Sequence, residues 1–194
     1  MSSEFGVMSK FRGFTLMEMM VVLAIFSIVM GVAFTTLSLN ETFRDLVLIR
    51  IELYRHNKVA VENMRMELQR STANSITIQD NATPTPDAIW FQIPLINSVD
   101  NQYNIPWGAR KGSTDYPNYF IRYRLNGTDF MREVLDNTLA PVANTQELIT
   151  ENIVDLQFTR PSPNYIVINV TGEKRTLQGR RINATLQTTV YVRN

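Results

Sequence analysis

The chain has 194 residues, a formal charge of +1 and no cysteine. That length allows one domain, or one domain with an appendage. The near-neutral balance gives no field favouring nucleic acid or an acidic substrate, and the missing thiol excludes disulfides, thiolate catalysis and cysteine-bound zinc or iron–sulfur centres.

The first predicted element is a membrane helix. No charged residue stands between Met19 and Leu39, and one bilayer crossing takes about 20 apolar residues. Only a helix satisfies every backbone amide within a single crossing segment. Lys10 and Arg12 precede the run, and Glu41 and Asp45 follow it. The positive-inside tendency therefore puts the N-terminus in the cytoplasm and the rest outside. A cleaved secretory signal fits less well, because Ala33-Phe34-Thr35 is a poor cleavage site and the run is long. A plain anchor accounts for the apolar run but leaves Glu18 unexplained. A carboxylate in lipid is costly, although near a helix end it can reach the interface.

Lys10, Arg12, Gly13, then Phe14-Thr15-Leu16-Met17-Glu18 and the apolar run follow in one order. This composite resembles the signal of type IV prepilins. The resemblance implies that a prepilin peptidase cuts between Gly13 and Phe14 on the cytoplasmic side and N-methylates Phe14. It gives 1–13 as a leader, 14–39 as the transmembrane and filament-core helix, 40–71 as its amphipathic second half, and 72–194 as a periplasmic β-rich domain. Prepilin leaders are often short, so the segment from Met8 to Gly13 already reads as complete, which leaves Met8 beside Met1 as a start of translation. Glu18 would meet the freed α-ammonium of Phe14 on a neighbouring subunit. In a low dielectric such a pair rewards correct register, because either charge left alone is heavily penalised.

From Asn40 to Arg70 there is no glycine or proline. Phe43, Leu46, Leu53, Ala60, Met64 and Leu68 recur at helical steps, with charged residues on the other faces. The pattern predicts a helix buried along one stripe. Phe14 to about Arg70 would make about 85 Å of helix at 1.5 Å per residue, similar to the ladle shape of pilins. Major pilins usually carry a proline in the apolar half. Here Gly31 is the only breaker, which points to a minor pilin or pseudopilin.

Strand signals follow. Ile76 and Ile78 begin a strand, and Asn81, Pro84 and Pro86 make a loop. Residues 88–93 read as a strand and 101–118 as a long surface loop. Residues 119–125 and 130–134 flank Asn126-Gly127, a two-residue hairpin signal. Alternation then marks Val154 to Phe158, Ile166 to Val170 and Ile182 to Val192. The fold class is α+β: a long N-terminal helix packed on an antiparallel β-sheet domain. The tail segments from Asn152, Tyr165 and Thr188 are loosely similar to J-type minor pseudopilins of type II secretion and to W-type minor pilins.

No catalytic constellation emerges, and no cofactor is implied. His56, the one histidine, is expected to be solvated or interfacial. Gly108 to Gly112 lacks phosphate-loop spacing and reads as a turn. Some pseudopilins bind calcium through loop carboxylates, but Asp80, Asp87 and Asp100 lack ligand spacing and read as solvated loop charges. The sequons at Asn40, Asn81, Asn126 and Asn183 read as incidental. Arg110-Lys111, Lys174-Arg175 and Arg180-Arg181 lack aromatic interleaving and read as solvated charge. The resemblance implies a minor subunit that starts or caps a type II secretion pseudopilus or a type IV pilus in a bacterial inner membrane. Its partners would be the prepilin peptidase, other minor subunits, the major subunit and the membrane, with no nucleic acid. The alternative is an anchored adhesin or DNA-uptake receptor acting through loops near Arg110 and Lys111.

Overall fold

The computed structural model describes residues 15–79, 87–95, 105–176 and 179–193. Gly13, Phe14, Asp80, Asn81, Pro84, Pro86, Asp100 and the first part of the 101–118 segment lie outside the described residues. The chain divides into two compact units between Asp45 and Leu46. One helix, α1 (Leu16–Leu68), contributes to both.

In the first unit every residue from Thr15 to Asp45 is exposed. This part of α1 is long and apolar enough to cross a membrane. Four of its hydroxyls donate to carbonyls one turn back, those of Ser27, Thr35, Thr36 and Thr42, with Ser27 Oγ to the Leu23 carbonyl at 2.8 Å and Thr36 Oγ1 to the Val32 carbonyl at 2.8 Å. A lipid environment demands this, because nothing there offers a replacement partner.

In the second unit, α1 buries Leu53, Asn57, Ala60, Val61, Met64 and Leu68. The expected stripe therefore holds from Leu53 onward. Phe43 is exposed and Leu46 only half-buried, so the stripe begins later than their spacing suggests. Asn57 joins it although it is polar.

The strands are β1 (Thr77–Gln79), β2 (Ala88–Phe91), β3 (Ile93–Pro94), β4 (Trp107–Lys111), β5 (Thr114–Pro117), β6 (Phe120–Asn126), β7 (Asp129–Leu135), β8 (Glu147–Thr150), β9 (Ile153–Ser162), β10 (Tyr165–Arg175) and β11 (Arg181–Tyr191). Among the described residues they form a five-stranded sheet in the order β1-β2-β6-β7-β8, and two three-stranded sheets, β11-β10-β9 and β3-β4-β5. All the strand pairings are antiparallel. The fold is α+β, with helix packed on antiparallel sheet. The core joins Ala60, Met64 and Leu68 of α1 to Ile89, Phe91, Ile121, Phe130, Ile166, Ile168 and Val170 of the sheets. Tyr123 stacks between Phe91, with centroids 6.2 Å apart, and Phe130, at 5.4 Å.

The strand expectations also need correction. The described part of 101–118 is not a loop but the hairpin β4–β5, which turns at Gly112 with φ of 57°. Gly108 is therefore a strand residue, and a Cβ there would collide with the Tyr116 carbonyl. The segment 88–93 splits at Gln92, so that β2 and β3 enter different sheets. In the β6–β7 hairpin Asn126 pairs with Asp129. Its two-residue loop is thus Gly127-Thr128, one step later than expected, with Gly127 supplying a φ of 65°.

Candidate functional site

The start of α1 is a capping box. Thr15 precedes the first helical residue, and its Oγ1 accepts from the Glu18 amide at 3.3 Å. Glu18 reaches back: its Oε2 accepts from the Thr15 amide at 3.0 Å and from Thr15 Oγ1 at 3.1 Å. Amides that would otherwise lack partners are satisfied reciprocally, and a negative charge sits at the positive end of the helix dipole. The pattern Thr-x-x-Glu stands plainly in the sequence, yet the reading of Glu18 above gives it only an intermolecular role. Oε1 of Glu18 takes no partner among the described residues. Every large apolar side chain from Leu16 to Leu39 is more than half exposed, so the cap heads a helix whose apolar surface the chain itself leaves uncovered.

The second unit carries a buried polar cluster. Glu67 of α1 receives Arg132 of β7 in a fork, with Nη2 to Oε1 at 2.8 Å and Nε to Oε2 at 3.1 Å. Tyr123 donates its hydroxyl to Glu67 Oε2 at 2.7 Å. Arg132 Nη2 also donates to the Arg110 carbonyl at 2.6 Å. β6 and β7 put Tyr123 and Arg132 directly opposite each other on one sheet face. These groups floor a cleft of about 480 Å³ rimmed by Arg70, Arg110 and Glu147. Burial, and then the Glu67 charge, push the Tyr123 hydroxyl well above its usual range. Burial alone would lower Arg132, but the Glu67 hydrogen bonds and charge win and raise it. Neither group exchanges a proton near neutrality, so the cluster ties helix to sheet rather than performing acid–base chemistry.

On the other sheet face Glu133 is fully buried and receives Arg122 and Arg124, each at 2.6 Å. Burial would raise its carboxyl, but Arg124 and Arg122 outweigh that and lower it.

His56 is half-buried. Its Nδ1 meets Thr150 Oγ1, and its Nε2 lies 3.8 Å from Glu52. The order Thr–His–Glu suggests a nucleophile and base, but the geometry denies it. Glu52 gives both oxygens to Lys174 Nζ at 2.7 Å, which lowers its carboxyl, and it is too far to orient the ring. His56 thus sits at an interface, as its position suggests.

The basic pairs are dispersed. Arg110 is held by Asp115, Lys111 Nζ donates to the Asn144 carbonyl at 2.7 Å, Lys174 is held by Glu52, and Arg181 lies 3.5 Å from Glu173. Among the described residues no group of three metal-ligating side chains gathers. Asp87 is not a solvated loop charge. It is buried, its amide donates to the Leu156 carbonyl and its Oδ2 accepts from the Phe158 amide, both at 2.8 Å.

Residues 8–34 match the family model of the prokaryotic N-terminal methylation motif. No curated protein and no solved structure matches the chain. The matched segment contains Gly13, Phe14 and Glu18 and supports a type IV pilin-like prepilin signal. With the apolar helix it fits a membrane-anchored pilin or pseudopilin-type protein, a class of structural subunits. Such a signal implies processing by a prepilin peptidase and assembly with other pilin-type subunits.

Proposed function

We propose that the chain is a minor pilin or pseudopilin, cut between Gly13 and Phe14, methylated on Phe14, and used to start or cap a type II secretion pseudopilus or a type IV pilus. The observation that carries this is the methylation motif placed at the head of a helix whose apolar side chains the chain leaves exposed. A helix of that kind needs lipid first and neighbouring helices later. The absence of proline from the apolar run supports the minor role. In this reading the Oε1 atom of Glu18 takes the Phe14 ammonium of an adjacent subunit, while Oε2 keeps the cap.

The test is the mass of the protein recovered from membranes. The expected species begins with N-methyl-Phe14, and Gly13→Asp leaves the leader attached and prevents assembly. An intact leader with unmodified Phe14 in the native protein overturns the proposal. The alternative binding module gains nothing from the β4–β5 hairpin, where Arg110 and Lys111 are already engaged.

A further inference from the structure

The β11-β10-β9 sheet has two edges, and the chain treats them differently. At the β9 edge, Asp87 supplies one donor and one acceptor to Leu156 and Phe158, as a neighbouring strand would. The β9 ladder also has register shifts near Tyr165 and Thr171, and the strand contains Pro161. Shifts, proline and a covering residue are the devices that stop an edge from pairing with another chain.

Among the described residues, β11 has none of these. Its eleven pairs with β10 run from Tyr165↔Tyr191 to Arg175↔Arg181 without a shift. Just beyond the two ends, the Val192 amide donates to Asn164 and the Thr176 amide donates to the Arg180 carbonyl. Even-numbered residues of this strand therefore face β10, and antiparallel alternation turns the backbone groups of Arg181, Asn183, Thr185, Gln187, Thr189 and Tyr191 outward. No described residue bonds to those outward groups. The next one, the Arg193 carbonyl, is taken by the Ala73 amide at 2.8 Å. Between these ends lies an open edge about 35 Å long at ~3.4 Å per residue. It contains no proline or glycine and has arginine as its only charged residue.

We propose that this edge pairs with the β11 edge of a second copy of the chain, antiparallel, joining two three-stranded sheets into one of six strands. The sequence is self-complementary in the full-length register. Arg181 falls opposite the second copy's Tyr191, a cation facing a ring. Asn183 falls opposite Thr189, and Thr185 opposite Gln187. No like charges oppose each other. The inference stands on the edge alone and does not depend on prepilin processing.

The chain has no cysteine of its own, which makes the test direct. Full-length Thr185→Cys and Gln187→Cys chains are mixed in detergent under mild oxidation. The register brings these two Cα atoms to ~5.5 Å, within disulfide range. Like positions lie on a diagonal at ~7–8 Å, so the mixed dimer should exceed either self-dimer by about tenfold. Adding Thr189→Pro, which removes an outward amide that no described residue uses, should return the yield to the self-dimer level with an unchanged circular dichroism spectrum. Adding Asn183→Lys with Thr189→Lys should do the same on an exposed face. No excess of the mixed dimer, or an excess that survives the lysines, overturns the proposal.

Discussion

The two stretches of α1 belong to one helix and meet opposite fates. From Thr15 to Asp45 nothing is buried; from Leu53 to Leu68 a stripe of side chains disappears into the sheets. Apolar area gains roughly 25 cal/mol for each Å² removed from water. The second stretch collects that gain inside the chain. The first stretch must collect it elsewhere, in lipid or against other helices. What differs is the partner each face finds, not helix propensity.

The largest effect should come from breaking the charged tie that belongs only to the second stretch. Arg132→Ala leaves Glu67 and the Tyr123 hydroxyl without their cation, and should lower unfolding free energy by about 3 kcal/mol or more, read by chemical denaturation. Next, Leu53→Ala should cost about 2–5 kcal/mol, since Leu53 is fully buried. If it costs nothing, the second stretch is not held by the sheets and the contrast fails.

Acid should act on the second unit next. Glu133 has a folded pKa below its ordinary 4.5. Its contribution is therefore complete above 4.5 and is lost as pH falls through the folded value. The melting temperature should drop below pH 4.5, and Glu133→Gln should flatten that drop.

The cap sharpens the contrast from the other side. Glu18→Gln keeps a side chain able to complete a capping box but removes the charge. Glu18→Ala removes both, costing about 1 kcal/mol at the helix start. If Glu18→Gln assembles normally while Glu18→Ala does not, measured by filament yield, the cap alone explains Glu18. The smallest effect is the most diagnostic: Phe26→Ala should change the stability of the second unit by less than about 0.5 kcal/mol.

Signals written in local order were legible in the sequence. The motif from Lys10 to Glu18, the uncharged run and the late helical stripe all depend on neighbours within a few turns. The Gly127 hairpin was legible to within one residue. What escaped depends on distant contacts. β4 and β5 carry proline and glycine, which usually mark loops, but Gly108 is needed because Tyr116 passes so close. β8 is four residues long and only its last residue is buried, too short for a period to show. Asn57 is buried because it lies over Gly172 and donates to the Ala184 carbonyl at 2.7 Å. Nothing near position 57 announces that. The Glu67–Arg132 tie joins residues 65 apart in sequence, and Asp87 acts on a strand 71 residues away.

Both members of the capping box, Thr15 and Glu18, lie on the retained side of the proposed cut. The hydrogen bonds that begin the helix are therefore independent of anything the peptidase discards. Maturation would shorten the polypeptide and leave that cap in place, so the trimmed chain would keep the bonds that open α1.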